Sequence, residues 1–227
     1  MNILLIAATE AEIAPLTEYI EPFRTSANGQ KYAFGNAYMS LLITGVGMVA
    51  TAYNLTKELA KDHYDMVLQA GVGGAFSSSV ALGDVVLVGR ERFADLGAED
   101  NGNYIDIFDL GLQQTNEKPF ADGWLEAPAT KWFAKFGMKT VNGVTVNTVS
   151  GSLATIGRIV DSYNPDVESM EGAAMHYVCL QEGRQFVQIR AISNYVEPRD
   201  KSKWQMGKAI KSLNDVLKAF ADSLKEA

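Results

Sequence analysis

Six short runs of apolar and β-branched residues recur along the whole chain, and they constrain the fold more than any other feature. They are NILLIAA (2–8), SLLITGVG (40–47), MVLQAGVGG (66–74), DVVLVG (84–89), VTVNTV (144–149) and FVQIRAIS (186–193). Continuous runs of this kind are typical of strands that are buried on both faces and covered by helices. We therefore predict an α/β fold, with a mixed β-sheet flanked by helices in one three-layer domain over residues 1–227.

Helical periodicity appears between and after these runs. The segment VATAYNLTKELAKDH (49–63) carries Ala52, Leu55 and Leu59 on one stripe. The segment from residue 203 onward is apolar at steps of four and three, which predicts a long amphipathic helix packed against the sheet. Its stripe consists of Met206, Ile210, Leu213, Leu217, Phe220 and Leu224. The pair Asn28-Gly29 predicts a type I′ hairpin turn, so antiparallel pairing is expected near the start of the sheet.

The composition narrows the classes of protein to consider. Apolar residues make up 47% and charged residues 21% of the 227, as in globular proteins. The run MNILLIAATEAEI lacks a basic leader, so we interpret it as a first strand and not as a signal peptide. The single cysteine, Cys179, is expected in the core and favours a reducing cytoplasm. A net charge of −7 and the lack of a bilayer-length apolar run favour a small-molecule partner over nucleic acid or membrane.

Polar residues and glycines follow the predicted strands. In open α/β sheets, ligands bind beyond the carboxyl ends of the strands. We expect the residues at those ends to converge on one cleft. They are Glu10, Glu12, the turn 45–47, the glycine-rich segment 71–74, the loop after Val146, and Asn194.

Two glycine segments each allow two interpretations. TGVGMVA (44–50) matches the dinucleotide pattern G-x-G-x-x-A, but it is not in the first βαβ unit, and the next strand ends in VLQAG instead of an acid. A dinucleotide site is therefore disfavoured. In QAGVGGAF (69–76), the glycines either let the backbone approach a ligand or only form a tight turn.

The segment DVESMEGAAMHYVC (166–179) places Glu168 and Glu171 on either side of Met170, just before a helix. Either Glu171 points into the cleft, or it stabilises the amino terminus of that helix. The chain has two histidines and one cysteine, without the spacing of metal ligands or a nucleophilic pair. We therefore expect neither a metal nor a cofactor, and we expect His176 to be a packing or surface residue.

These segments resemble the nucleoside phosphorylase and nucleosidase superfamily, and within it the branch of the methylthioadenosine/S-adenosylhomocysteine nucleosidases. The similar segments are LLIAATEAEIAPL, ITGVGMVATA, QAGVGGAF, GDVVLVGRERFAD, VESMEGAAMHYVC and VQIRAISN, and they extend over nearly the whole chain in that order. The sub-pattern SMEGAA with RAISNYVEPRD most resembles the futalosine hydrolases, which remove hypoxanthine from futalosine in the alternative menaquinone pathway. The resemblance implies a nucleoside phosphorylase-like fold and a purine nucleosidase.

The resemblance also implies roles for single residues. Glu12 corresponds to the glutamate that activates water, Glu171 to the ligand of the ribose hydroxyls, and Met170 to the residue packed against the sugar. Asn194 corresponds to the residue that contacts purine N7 and the 6-substituent. The remaining substrate-binding candidates are Val72, which replaces the family's small hydroxyl residue, Gly73, Glu168, Tyr195, and Thr148 and Val149 in the loosely similar stretch 148–152.

We expect Asn194 to be the residue that selects the base. An asparagine offers one donor for a 6-oxo oxygen and one acceptor for N7–H, whereas a 6-amino group would face a donor and leave a buried polar group unpaired. This pattern favours hypoxanthine over adenine. The carboxylates of AATEAE would repel phosphate, so water is the expected nucleophile, although Arg90 and Arg92 offer charge to an anion.

Two further expectations follow from the resemblance. The benzoate on the 5′ side of futalosine requires an aromatic surface and a cation. The candidates for contacting it are Phe93, Tyr195, Trp204, Arg90, Arg92 and Arg199. A homodimer or larger homo-oligomer, in which a neighbouring subunit completes this part of the pocket, is also implied.

Overall fold

A computed structural model of the chain describes residues 1–27, 29–128 and 133–226. The strands are β1 (Asn2–Ala7), β2 (Lys31–Phe34), β3 (Ala37–Ile43), β4 (Met66–Ala75), β5 (Val85–Phe93), β6 (Gly97–Asp100), β7 (Asn103–Asp106), β8 (Leu125–Glu126), β9 (Thr140–Thr145), β10 (Val167–Ser169) and β11 (Phe186–Tyr195). The helices are α1 (Glu10–Ile20), α2 (Met48–Leu59), α3 (Leu153–Tyr163), α4 (Gly172–Gln181) and α5 (Met206–Ser223). Each of the six apolar runs overlaps a strand, although only Val144 and Thr145 of VTVNTV belong to β9.

The large sheet is mixed, which confirms the predicted fold class. Its order is β10-β9-β5-β11-β4-β1-β3-β2, and β8 pairs with β5. Strand β4 is parallel to β1 and β11, whereas β5 is antiparallel to β11. A further antiparallel pairing of β10 with β4 brings the end of β10 back to the centre of the sheet. The carboxyl ends of β1, β4 and β11 therefore lie at the same edge.

Helices cover both faces of the sheet. Along β1, Ile3 and Leu5 pack in the cluster that contains α1 and α5, whereas Leu4 and Ile6 pack in the cluster that contains α2 and α4. These four side chains are fully buried. Because successive residues of a strand point to opposite faces, a strand covered on both sides must be apolar throughout, as NILLIA is. Burying each such side chain contributes about 1.5–3 kcal/mol.

The predicted helices are present, with one difference. In α5, Leu213, Leu217 and Phe220 are buried against the sheet as expected. The first turn of the stripe behaves differently, because Met206 and Ile210 line a cleft instead of the core. A buried amide joins this helix to α1. The Nδ2 of Asn214 donates to the Glu12 carbonyl at 2.8 Å, and its Oδ1 accepts from the Leu16 amide at 2.9 Å.

Antiparallel pairing near the start of the sheet comes from β2 and β3, which are joined at Gly35-Asn36. The hairpin predicted at Asn28-Gly29 includes Asn28, which lies outside the described residues. Strands β6 and β7 form a separate two-stranded sheet that the sequence analysis did not predict. In the described part of the chain, no helix is both long and apolar enough to span a bilayer.

Candidate active site

A mostly apolar cleft of about 340 Å³ opens at the carboxyl ends of β1, β4 and β11. This is the edge at which the sequence analysis expected the strand ends to converge. The cleft brings together eight of the ten catalytic and substrate-binding candidates, which are Glu12, Val72, Gly73, Val149, Glu168, Met170, Glu171 and Asn194. Residues from four elements (α1, β4, β10 and β11) and from two connecting segments therefore face a common space.

Glu12 enters the cleft from the first turn of α1. Its Oε2 accepts from the amide and from the hydroxyl of Thr9, each at 3.0 Å, which is the capping-box arrangement of a helix start. Its Oε1 accepts from the Val72 amide of β4 at 3.1 Å. Three donors therefore fix the orientation of the carboxylate while it still lines the cleft.

Gly71 allows β4 to pass close under this carboxylate. A Cβ atom at position 71 would lie 2.6 Å from Arg190 Nη1 and 3.0 Å from Glu12 Oε1. No such contact fits without displacing one of the two charged groups. The glycine-rich segment therefore does more than form a tight turn. Because Gly71 has no side chain, the Arg190 guanidinium and the Glu12 carboxylate both fit beside β4.

Glu171 stands at the position just before α4. Its side chain makes no capping bond to that helix. Instead, its Oε1 accepts from the Gly47 amide at 3.0 Å, and its Oε2 lies 3.3 Å from Arg190 Nη1. Of the two interpretations of Glu171, the geometry therefore favours the one in which it points into the cleft.

The same contact bears on the dinucleotide interpretation of TGVGMVA. Gly47, with φ of 91°, precedes α2, and the amide that would meet a phosphate is bonded to the Glu171 carboxylate. Because a carboxylate occupies that position, a dinucleotide phosphate would be repelled.

Arg190 is the residue of this site that the sequence analysis missed. Its side chain is 2% exposed, and it also donates to the Val72 carbonyl at 3.3 Å and to Gln69 Oε1 at 3.1 Å. The available signal was an arginine in the middle of the apolar run FVQIRAIS, because a charged residue inside a buried strand requires a partner.

Glu168, on β10, is buried with its carboxylate bonded to one loop residue. The Ser150 amide donates to Oε1 at 3.0 Å, and the Ser150 hydroxyl donates to Oε2. Burial raises the pKa of Glu168, and the two bonds from Ser150 oppose that shift. The carboxylate thus ties the loop that contains Val149 to the floor of the cleft.

Asn194 lies beside an irregularity in β11, where the register against β4 shifts between Ile192 and Asn194. Its Nδ2 donates to the Tyr195 carbonyl at 2.9 Å, and its Oδ1 accepts from the Ser193 hydroxyl at 2.8 Å. A carbonyl can only accept, so the Tyr195 contact fixes which end of the amide is the nitrogen. One donor hydrogen and one acceptor lone pair remain for a ligand.

Two candidates do not line the cleft. Thr148 is exposed, although its neighbour Val149 does line the cleft. Tyr195 packs against the apolar cluster that includes Ala75 and Ile192, so it faces away from the ligand space. The alternation of side chains along β11 explains this, because Asn194 and Tyr195 are consecutive and point to opposite sides.

The three arginines suggested as partners of the benzoate or another anion differ in their position relative to the cleft. Arg90 donates to Asn142 Oδ1 at 2.9 Å and stacks over Trp124, and Arg92 forms an ion pair with Asp106 at 2.7 Å. Neither lines the cleft. Arg199 stacks over Trp204, which does line the cleft, at 5.3 Å from the ring centroid.

Phe93 packs against Phe120 and Tyr177 and does not line the cleft. His176 is fully buried in α4, and Cys179 is buried beside Met175. Among the residues that the structure describes, no group of three or more His, Cys, Asp or Glu could hold a metal ion.

Comparison with known proteins gives one family. A family model described as the phosphorylase superfamily matches residues 2–225. A futalosine hydrolase of Thermus thermophilus is 31% identical over 92% of this chain and 91% of its own length. One of Streptomyces coelicolor is 30% identical over 71% and 67%. A 5′-methylthioadenosine/S-adenosylhomocysteine nucleosidase of Shewanella halifaxensis is 29% identical over 86% of both chains.

Solved structures share the fold at low sequence identity. A 5′-methylthioadenosine/S-adenosylhomocysteine nucleosidase of Helicobacter pylori with butyl-thio-DADMe-Immucillin-A has a TM-score of 0.81 at 17% identity, over 98% of both chains. Futalosine hydrolase of the same organism has a TM-score of 0.78 at 16% identity, also over 98% of both. This similarity extends over the whole three-layer arrangement.

Proposed function

The chain belongs to the phosphorylase superfamily, and on that premise we propose that it hydrolyses the N-glycosidic bond of futalosine, releasing hypoxanthine and dehypoxanthinylfutalosine. The observation that carries this proposal is the meeting of Glu12, Glu171 and Asn194 in one mostly apolar cleft. They provide a base, a ribose ligand and an amide suited to a 6-oxopurine. The identity with futalosine hydrolases supports this choice of substrate.

Glu12 acts as the general base. It takes a proton from water as the water oxygen attacks the anomeric carbon of the ribose, and the bond from that carbon to the purine breaks through an oxocarbenium-like transition state. The donors on both carboxylate oxygens keep Glu12 in one orientation. Such preorganisation is what an efficient base requires.

Glu171 and Met170 bind the sugar. Each Glu171 oxygen has one partner in the protein, so each keeps a lone pair that can accept from a ribose hydroxyl. Its negative charge also favours the cationic sugar of the transition state. Met170 lines the cleft beside it and contributes apolar contact to the ribose.

Asn194 recognises the base. Its free amide hydrogen donates to the 6-oxo oxygen. The purine leaves with the bonding electron pair and takes up a proton from water at N7, and the free lone pair of Asn194 then accepts from this N7–H. The bond to the 6-oxo oxygen stabilises the electron pair that leaves with the purine. With a 6-amino group, the same hydrogen would face another donor, which costs about 1–3 kcal/mol.

The charges of the cleft favour hydrolysis over phosphorolysis. The described residues that line it include three glutamates and no lysine or arginine. The buried Arg190 beneath the floor is paired with Glu171. A phosphate dianion beside Glu12 would be repelled, whereas water would not.

A second copy of the chain completes the cleft in this proposal. Three apolar side chains on and before α2 are exposed, and Val46, which lines the cleft, is one of them. They are Val46 at 56%, Val49 at 82% and Tyr53 at 63% exposure. Burying them in a homodimer would continue the apolar lining, and Arg199 on Trp204 would meet the benzoate at the rim. The chain then acts as one nucleosidase domain over residues 1–227, in a cytoplasmic route to menaquinone.

A nucleosidase acting on methylthioadenosine or S-adenosylhomocysteine is the second candidate. The relative from Shewanella halifaxensis favours it, because its identity of 29% is close to that of the futalosine hydrolases. The amide at position 194 argues against it, because an asparagine cannot supply a proton to N7 or accept from a 6-amino group in the orientation fixed by Tyr195.

One chromatographic experiment tests the proposal. The protein is incubated with futalosine, inosine and methylthioadenosine in phosphate-free buffer, and the free bases are identified. We expect hypoxanthine from futalosine, little from inosine and no adenine. Adenine release would overturn the substrate assignment, and base release only after phosphate is added would overturn hydrolysis.

A further inference from the structure

A buried carboxylate lies behind the floor of the cleft, and the reaction described above does not use it. Glu91, on β5, is 0% exposed. Gln188 Nε2 is 2.9 Å from its Oε1, and the Thr145 hydroxyl is 3.0 Å from its Oε2. None of the ion pairs between described residues includes Glu91. A buried carboxyl group without such a partner needs a specific reason.

Two routes connect Glu91 to Glu171. The Ala173 amide, in the first turn of α4, donates to the Thr145 oxygen at 2.7 Å, so Thr145 links Glu91 to the start of the helix that follows Glu171. Gly172 adjoins the carboxylate directly, because a Cβ atom at that position would overlap Glu91 Oε1.

The second route runs through β11. Gln188 and Arg190 are two residues apart and therefore point to the same side of the strand. Gln188 contacts Glu91, and Arg190 contacts Glu171. Glu91 thus lies behind both the helix start and the cation that hold Glu171.

The hydrogen bonds of the neighbouring histidine indicate where a proton lies. His176 Nδ1 is 2.9 Å from the Leu125 carbonyl, and a carbonyl can only accept, so Nδ1 carries the hydrogen. In a neutral ring, Nε2 is then an acceptor. Two buried atoms lack a partner in this region, namely His176 Nε2 and Gln188 Oε1. The Gln188 amide interacts with the His176 ring.

Both unpaired atoms gain a partner in one arrangement. The oxygen and nitrogen of a glutamine amide are assigned from their neighbours, so the Gln188 amide can be turned over. The protonated carboxyl group of Glu91 then donates to Gln188 Oε1, and Gln188 Nε2 donates to His176 Nε2. The network is complete and neutral in this form, as expected for a group fully shielded from water.

We propose that Glu91 is a positioning residue which, in its neutral form, completes the Gln188–His176 network and holds Glu171 against Arg190. Its substitution therefore affects ribose binding, although Glu91 does not touch the substrate. The inference rests on the proposed function for its kinetic test only.

The surrounding charges give the expected direction of a pH effect. Burial raises the pKa of Glu91 to about 7, opposed by Gln188, Arg190 and Thr145, and Glu171 raises it further. Arg190 faces it from β11, Glu171 faces it from the position just before α4, and β9 contributes the Thr145 hydroxyl. Burial lowers the pKa of His176 to about 4, so that ring is neutral near pH 7. As pH rises through about 7, Glu91 ionises and competes with Glu171 for Arg190.

The kinetic test compares Glu91→Gln and Glu91→Leu with the wild type, using hypoxanthine release from futalosine between pH 6 and pH 8.5. The activity of the wild type should decline above pH 7, as Glu91 ionises. A glutamine has the shape and the hydrogen-bond donor of the neutral acid, so Glu91→Gln should have wild-type activity at pH 6 and should not show this decline. Glu91→Leu should raise KM and lower kcat/KM by at least about tenfold at every pH. Asp106→Asn removes a buried carboxyl group outside the cleft, and it should keep the wild-type pH profile.

Three results would overturn the proposal. They are a Glu91→Leu variant with wild-type kinetics, a Glu91→Gln variant as impaired as Glu91→Leu, and an alkaline decline that is the same in Glu91→Gln and the wild type. Crystal structures at pH 6 and pH 8.5 decide the matter independently of turnover. We expect the Arg190–Glu171 contact of the wild type to be intact at pH 6 and lengthened at pH 8.5, and lengthened at both pH values in Glu91→Leu.

If the wild type releases no base, the proposed function fails, and the structures still test the positioning role. An Arg190–Glu171 contact of unchanged length in all four crystals would exclude the positioning role.

Thermal unfolding tests separately whether Glu91 is protonated in the folded protein. A raised carboxyl pKa gives stability at low pH that is lost as pH rises to about 7, so the Tm of Glu91→Gln should increase relative to the wild type from pH 5 to pH 8.

Discussion

Arg190 Nη1 lies 3.3 Å from Glu171 Oε2, and the two side chains are 2% and 7% exposed. Arg190 also contacts the Val72 carbonyl and Gln69 of β4, so one guanidinium joins β11, β4 and the residue before α4. A buried ion pair is costly to break by removing one partner, because the other charge is left without compensation.

Replacing Arg190 by methionine should therefore lower the free energy of unfolding by about 3–5 kcal/mol and abolish base release. Thermal or urea unfolding measures the first effect. The double variant Arg190→Met with Glu171→Gln should regain part of the stability without regaining activity, because the unpaired charge has been removed. A single variant as stable as the wild type would contradict the buried pair.

Glu12→Gln should lower kcat by about 10²–10⁴-fold, because the amide cannot take a proton from water. Initial rates of hypoxanthine release measure this loss. Glu10→Gln is the matched control, since Glu10 is exposed in the same first turn of α1 and should keep wild-type turnover. Full turnover by Glu12→Gln would exclude the general-base role.

Gly71→Ala should lower kcat/KM and Tm together. The added methyl group would meet Arg190 Nη1 at 2.6 Å and Glu12 Oε1 at 3.0 Å, so it must displace a charged group that the site requires. Gly157→Ala is the control, because a Cβ atom there has open space and alanine favours a helix by about 1 kcal/mol. An active Gly71→Ala variant with an unchanged Tm would show that the close packing under Glu12 is not needed.

Asn194→Asp should lower hypoxanthine release from futalosine by about 10–100-fold, because a carboxylate has no donor for the 6-oxo oxygen and faces the Tyr195 carbonyl. Release of adenine from methylthioadenosine should rise, since a carboxyl group can accept from a 6-amino group. Chromatography of the free bases measures both. A gain of adenine release without any loss of hypoxanthine release would refute this account of base selection.

Val49→Glu should convert the proposed homodimer into a monomer and reduce turnover of futalosine. Val49 is 82% exposed on α2, one turn from the cleft residue Val46, and a charge there opposes burial against a second copy. Light scattering after size-exclusion chromatography measures the oligomeric state. Tyr38→Glu is the control. Tyr38 is 39% exposed near the amino end of β3, away from the cleft, so this variant should keep the oligomeric state of the wild type. A wild-type protein that is a monomer with full activity would exclude a shared cleft.

Much of the fold could be predicted from local pattern. The run NILLIAA predicts a buried strand because a strand covered on both faces is mostly apolar, and FVQIRAIS predicts one although Gln188 and Arg190 interrupt its apolar residues. The apolar stripe of α5 predicts that this helix packs against the sheet, because apolar residues at steps of three and four lie on one face of a helix. The hairpin of β6 and β7 was missed, because its short strands GAED and NYID have no apolar alternation to indicate a strand.

The sequence by itself determined which chemical groups stand at the strand ends, because a residue after a buried strand must emerge at an edge of the sheet. This reasoning selected Glu12 and Asn194, whereas Glu171 was selected through the resemblance to the nucleosidases. Only the tertiary structure decided what each group contacts. The register of β11 against β4 directs Asn194 toward the cleft and Tyr195 away from it, and the packing of α4 against β11 joins Glu171 to Arg190. Such contacts depend on the relative placement of residues far apart in the chain, which no local pattern encodes.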